Sequence, residues 1–422
     1  MSEQLICGID IGSYKIATVA GVLPKEDGEL RIIGFNTTPS RGVKKGLIID
    51  IEQITAAVEE SVEKAERMAG HKISQAFVSV GGPHIASLNS HGIVAVTNPQ
   101  GEINEDDVAR VVEAARAISL STTRQIIEVT PRDYIVDGQA GIKNPVGMTG
   151  VRLEVETHII TASHTNLKNI ERCLNYLDIQ NLGFVFAGLA SAEAVLTDTE
   201  KELGVVLIDI GGGKTDICIY VEGALSYSSS IPVGARHITN DIAVGLRVSL
   251  DSAEKIKLYL SRVYGAEKDK NKRRNISINL NELNLNENVD EMSLKTLIDG
   301  IIGPRLEEIY KLVFDEIEKS GFAQNIPSGL VITGGGALTV SMLETGRRVI
   351  GLPIRLGSPR NVSGLTDEIL DPQYATTVGL LLYGIKNTRE QEGWKNFNKI
   401  IKDFSFGSPV EKFKSFFRQF IP

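Results

Sequence analysis

Two short segments carry residue types suited to gripping phosphate. Ile9-Asp10-Ile11-Gly12-Ser13-Tyr14-Lys15 and Ile208-Asp209-Ile210-Gly211-Gly212-Gly213-Lys214 share the pattern I-D-I-G-x-x-K at an offset of 199 residues, and Thr215 follows the second. Glycine backbone takes positive φ freely and can approach a ligand closely, so such turns present N–H groups to phosphate oxygens. Gly12 with Ser13 and Tyr14, and Gly211 with Gly212 and Gly213, supply the turns, while Lys15 and Lys214 add point charges. Asp10 and Asp209 would repel phosphate directly, which leaves them the task of holding a divalent cation through water. Two such corners facing each other make a phosphate clamp.

The elements that must position them follow from the flanks. Each corner sits between short apolar runs, Leu5 to Cys7 and Ile16 to Val22 for the first, Gly204 to Leu207 and Ile217 to Val221 for the second. An apolar run, a glycine turn and another apolar run predict a β-hairpin. A repeat this long implies two similar lobes rather than a solenoid, whose period is about 20 to 50 residues. A third glycine cluster, Gly334-Gly335-Gly336-Ala337, follows the β-branched run Val331 to Thr333 and precedes a helix expected over Leu338 to Glu344. Such a corner lets a ring or phosphate rest against backbone at a helix N-terminus.

Composition narrows the class. The 422 residues are 42% hydrophobic and 23% charged with a formal net charge of −8, so the surface as a whole is not built for nucleic acid. Cys7, Cys173 and Cys218 form neither a disulfide framework nor a metal cluster, and the six histidines lack ligand spacing. No run reaches the ~18 to 20 apolar residues of a spanning helix. The first residues do not read as a signal peptide, which predicts a reduced, cytoplasmic protein.

The three corners, in this order, resemble the phosphate and adenosine loops of the actin, heat-shock ATPase and sugar-kinase superfamily. Within it the chain is most similar to FtsA, the actin homologue of bacterial cell division. Gly46 to Asp50, Val78 to Gly82, Ser90-His91-Gly92, Gly188 to Ala194 and Ile231 to Gly234 carry that likeness. The resemblance implies an α/β, actin-like two-lobed ATPase fold of two ribonuclease H-like lobes, with connecting helices near Gly183–Leu196 and Asp371–Gly384. It implies ATP with Mg2+ as cofactor. It assigns the phosphates and metal to Asp10, Gly12, Ser13, Tyr14, Lys15, Asp209, Gly211, Gly212, Gly213, Lys214 and Thr215. Adenosine would fall to Gly234, Asn240, Glu254 and Lys257 together with Gly334 to Ala337.

Two departures stand out. Lys214 occupies a place usually held by a small or hydroxyl residue. Ala187 stands where efficient hydrolases of the superfamily carry Glu or Gln to orient the attacking water, and loss of such a group costs about 10²- to 10⁴-fold in rate. Weak or absent ATPase activity is therefore expected. A sugar kinase of the same superfamily would need a catalytic acid in the cleft that the sequence does not offer. A pilus-assembly adaptor would share the nucleotide site without a membrane helix.

Boundaries follow from changes of pattern. The first lobe (subdomain 1A) takes residues 1–83, 162–200 and 372–388, and an α+β insert (1C) takes 84–161. The second lobe takes 201–371, with subdomain 2B at about 236–310. A basic run, Lys268 to Asn275, reads as a solvated loop, because no aromatic residues interleave it for base stacking. Residues 389–407 form a polar linker. In 408–422, Ser408-Pro409-Val410-Glu411 is a capping box. Phe413, Phe416, Phe417, Phe420 and Ile421 then recur at helical spacing over an arc of about 140°. Lys412, Lys414 and Arg418 accompany them, the composition of a helix lying on an anionic membrane surface. Burying five such side chains is worth several kcal/mol at ~25 cal/mol/Å², and each cation adds about 1 kcal/mol near an anionic leaflet. The resemblance implies further partners: the C-terminal peptide of the tubulin-like FtsZ, copies of the same chain in a filament, and other division proteins through the insert. It places the protein at the inner face of the membrane at the division septum.

Overall fold

The computed structural model describes residues 4–23, 30–265, 276–287 and 291–387. Two sheets share one plan. The first runs in the order Gln180–Phe186, Gln75–Val80, Gln4–Ile11, Lys15–Leu23, Leu30–Pro39, Val362–Gly364. The second runs Ala224–Ile231, Thr215–Val221, Val205–Ile210, Leu330–Thr333, Ile354–Leu356. Each begins with three strands paired antiparallel in succession, and two parallel strands then extend the side of the first of them. The repeat seen in two heptapeptides is thus a repeat of whole lobes.

Burial on both faces explains why these strands read as nearly continuous apolar runs. Alternation in the second sheet divides its side chains between two cores. Val206, Ile208, Ile217 and Ile219 face a core made with the second lobe's own helices. Val205, Leu207, Cys218 and Tyr220 join the first lobe's core. The helix Ala187–Val195 is almost wholly buried, which its run of alanines, glycine and serine permits. It crosses a helix over 375–387. A Cβ on Gly379 would collide with the backbone of Ala190, so at this crossing the two helices approach main chain to main chain.

Local residue types explain the helix starts. The helix Ile51–Ala69 is capped by Asp50, whose side chain accepts from Gln53 N at 3.0 Å, and it buries Ile54, Ala57, Val58, Ser61, Val62 and Ala65. The insert carries the helix Glu105–Arg116 with Asn104 as its cap, packed on the sheet Ala86–Ala95, Arg152–Ser163, Arg124–Val136, Gln139–Ile142. Gln125 to Thr130 and Arg132 to Val136 form one strand that runs through Pro131. Pro131 sits at a register shift, where a missing N–H does least harm. The insert also docks on the second lobe. Ser87 Oγ donates to Ser228 O at 2.7 Å, His158 Nε2 lies 3.0 Å from Ser228 Oγ, and Arg132 Nε donates to Ser226 Oγ at 3.1 Å.

Two expectations change. The first connecting segment, expected over Gly183–Leu196, is strand up to Phe186 and becomes helix only at Ala187. After the third corner a 3-10 turn, Gly335–Leu338, comes before the helix, which starts at Met342 rather than Leu338. The basic run 268–275, the linker 389–407 and the amphipathic segment 408–422 lie outside the described residues. No helix among the described residues is long and apolar enough to cross a membrane.

Candidate functional site

The two hairpin corners close with the same hydrogen bond. Gly12 N donates to Lys15 O at 3.1 Å, and Gly211 N donates to Lys214 O at 2.9 Å. They face each other from the two lobes. A Cβ on Gly212 would come 2.8 Å from Tyr14 Cβ, and one on Gly213 would come 2.9 Å from Ser13 Cβ, so only glycine fits there. Ser13 Oγ is engaged by Gly46 N at 2.9 Å, which locks the first corner to its own lobe. Gly211 O and Gly212 O accept from Ala235 N and Arg236 N at 2.9 and 2.8 Å, which seats the second corner on the first turn of the helix Ala235–Leu246.

Beneath the corners lie the two carboxylates. Asp10 Oδ1 accepts from Ser79 Oγ at 2.6 Å. Asp209 Oδ2 accepts from Ser191 Oγ at 2.6 Å and from Thr376 Oγ1 at 2.8 Å, one hydroxyl from each connecting helix. Burial raises the Asp10 pKa, against the Ser79 hydrogen bond and the Lys214 charge, and the Asp209 carboxylate pushes in the same direction as burial. Each carboxylate takes its hydroxyl donors on one oxygen. The donor set, two anchored carboxylates beside a cradle of backbone N–H groups, fits a water-shelled Mg2+ between them.

The two lysines diverge. Lys15 Nζ donates to Gln373 Oε1 at 2.9 Å and stands 3.6 Å over the Tyr374 ring. Burial lowers its pKa to about 8, although Asp10 and Asp371 oppose the shift. Lys214 instead pairs with Asp216, and its Nζ reaches Gly81 of the first lobe. Burial works to lower the Lys214 pKa, but the Asp216, Asp209 and Asp10 carboxylates outweigh it and the net shift is upward.

The third corner completes the cleft. Gly334 has φ of 84°, a backbone that suits glycine, and a Cβ there would strike Asp209. Its N–H donates to Pro372 O at 3.1 Å. The turn Pro372–Tyr374 therefore touches the first corner through Gln373 and the third through Pro372, while Thr376 just beyond reaches the carboxylate of the second. Opposite, on the helix Leu250–Tyr264, Lys257 Nζ donates to Glu254 Oε2 at 2.8 Å, and it also donates to Thr239 Oγ1 of the helix Ala235–Leu246 at 3.0 Å.

Together these segments enclose a cleft of about 460 Å³. Asp10, Gly12, Ser13, Tyr14, Lys15, Asp209, Gly211, Gly212, Gly213, Lys214, Glu254, Lys257, Gly334, Gly335 and Gly336 line it, as does Ala187. Four of the expected residues do not. Thr215 turns its hydroxyl to Val233 O at 2.8 Å, Gly234 lies behind the second corner, Ala337 is buried, and Asn240 is exposed on the outer side of its helix. The lining residues missed in the sequence are Asp216, Ala235, Arg236, Leu258, Ser261, Leu338, Thr339, Gln373 and Thr376. Asp216 was within reach, since counting outward from the second turn pairs it with Asp209. Gln373 and Thr376 carry no local signal, because their position depends on a crossover from the far end of the chain.

Comparison with known proteins gives the family and the fold. The sequence profile of the SHS2 domain inserted in FTSA matches residues 82–161, and that of Cell division protein FtsA matches residues 206–379. The chain is 39% identical over 389 residues to Cell division protein FtsA of Pseudomonas aeruginosa, covering 91% of this chain and 90% of the relative. It is 35% identical over 390 residues to the protein of the same name from Escherichia coli K12, covering 90% of each. Among solved structures, a PilM-PilN type IV pilus biogenesis complex superposes with a TM-score of 0.60 at 15% identity, covering 90% of this chain and 98% of that one. MreB5 of Spiroplasma citri bound to ADP gives 0.54 at 13% identity, covering 92% and 98%. The fold is the actin-like ATPase fold with an SHS2 insert, and the chain belongs to the FtsA family of cell-division proteins.

Proposed function

We propose that the chain is an ATP-binding, actin-like polymerising adaptor that ties FtsZ filaments to the cytoplasmic face of the cell membrane at the division septum and recruits later division proteins. The observation that carries the nucleotide part is the convergence of three glycine corners, from three distant segments, on one cleft holding paired carboxylates and two lysines. MreB5 of Spiroplasma citri, which shares the fold, has been solved with ADP and with AMPPNP.

In this reading backbone N–H groups of the first and second corners hold the phosphates, Lys15 and Lys214 supply charge, and Asp10 and Asp209 hold Mg2+ through water. The Glu254–Lys257 pair flanks the ribose and base, and Gly334 to Gly336 form the floor beneath them. When bound, Mg2+ neutralises phosphate charge. Ala187 begins its helix at the cleft with a methyl group, which neither accepts a proton nor fixes a water, so turnover is slow. Nucleotide spanning the two lobes favours one relative angle, and so one polymer-competent conformation. Residues 408–422 supply the membrane contact, weak in one copy and strengthened by avidity in a filament.

The test joins calorimetry with Mg-ATP to vesicle co-sedimentation, with and without residues 408–422. The expected outcome is ATP binding with little phosphate release, and sedimentation with anionic vesicles that is lost on truncation or in Phe417→Glu. Absence of any ATP heat, or sedimentation indifferent to Phe417→Glu, overturns the reading.

A further inference from the structure

The second corner brings three carboxylates together. Asp209 and Asp216 are direct partners across the antiparallel pair. Their side chains therefore share a face, with Cβ atoms roughly 4.5–5.5 Å apart, an arrangement unfavourable for like charges. Asp10 lines the same end of the cleft from the other lobe. A triphosphate entering there meets this negative field, and an actin-like site would ordinarily relieve it with a divalent cation.

Here a cation is already built in. Lys214 is only 12% exposed and pairs with Asp216, itself 1% exposed. Asp216 is in turn oriented by Ser230 Oγ, which donates to its Oδ1 at 2.5 Å and accepts from Gly82 N at 3.1 Å. The ammonium is thus fixed by an ordered chain that reaches across to the first lobe, while the side chain still faces the cleft. An ammonium has three donors, and the pair with Asp216 occupies one. Charge along the cleft points the same way. The acidic residues lining it are Asp10, Asp209, Asp216 and Glu254, balanced by Lys15, Lys214, Arg236 and Lys257. Without Lys214 the lining is net negative before any nucleotide arrives.

Building on the reading of this cleft as an ATP site, we infer that the Lys214 ammonium supplies part of the positive charge that such a site otherwise draws from a divalent cation, so the protein retains ATP when divalent cations are removed. The consequence is specific to the second corner. Lys15 also lines the cleft but is engaged by Gln373 and the Tyr374 ring rather than by the carboxylates of the second corner, so its removal weakens ATP by a similar factor with or without the metal.

The experiment is calorimetric titration of the full chain with ATP, in MgCl2 and in EDTA, for wild type, Lys214→Thr, Lys214→Arg and Lys15→Thr. Wild type and Lys214→Arg are expected to bind in EDTA within about fivefold of their affinity in magnesium, and Lys214→Thr to lose more than about tenfold on chelation, each tenfold being about 1.4 kcal/mol. A wild-type loss beyond tenfold in EDTA overturns the inference without needing any variant, and so does an equal loss in wild type and Lys214→Thr. Failure of wild type to bind ATP even in magnesium would instead remove the ATP reading itself.

Discussion

The two glycine corners share a heptapeptide pattern and the same closing hydrogen bond, yet they use their lysines in opposite ways. Lys15 leaves its hairpin for a glutamine and an aromatic ring on a turn near the chain's other end. Lys214 folds back on a carboxylate two residues away, on the strand that leaves its own corner. Local sequence sets the backbone of the turn, because glycines and strand flanks suffice for that. The fate of the side chain depends on what the next element offers. In the second corner the partner of Asp209 across the strands is another aspartate, and in the first the partner of Asp10 is Ala17.

This asymmetry can be broken most severely at Asp216. Asp216→Ala leaves a buried ammonium without its partner, and removal of one member of a buried pair costs about 3–5 kcal/mol. Urea unfolding should register that loss. The double variant Lys214→Met/Asp216→Leu should recover much of it, because the uncompensated charge is gone.

The next contrast is in protons. The Lys15 pKa is lowered to about 8 from an ordinary value of 10.5. The folded, empty protein therefore binds fewer protons than the unfolded chain between those values, and this group's penalty on stability fades as pH rises through that window. Phosphate beside Lys15 reverses the shift, so ATP binding near pH 9 should take up roughly one proton. Calorimetry in buffers of different ionisation enthalpy measures this uptake, which should vanish in Lys15→Met. Lys214, whose pKa is already raised, should contribute nothing to it.

The smallest effect belongs to Gln373→Ala. Lys15 keeps the Tyr374 ring and gains water, so the cost is about 0.5–1 kcal/mol in thermal or urea unfolding. A loss comparable to that of Asp216→Ala would mean the two corners are wired alike after all.

Much of the fold was legible in the residues. The paired heptapeptides announced a duplicated lobe. What escaped was set by register and crossover rather than by local type. Thr215 looked like a phosphate hydroxyl, but strand alternation turned it inward to Val233. Asn240 lies one residue beyond Thr239, which touches the Glu254–Lys257 pair, and at 100° per residue that single step carries it to the outer face. Gln373 and Thr376 reach the cleft only because the chain returns to the first lobe after leaving the second.

The crossing of Ala190 and Gly379 has a mechanical consequence. No side chain separates the two backbones, and a Cβ at position 379 would come 1.7 Å from Ala190 O. Ser191 and Thr376 ride beside it, one on each shaft, and both grip Asp209. A shift of one helix against the other is therefore felt at that carboxylate, and a single added methyl at position 379 would force the two helices apart.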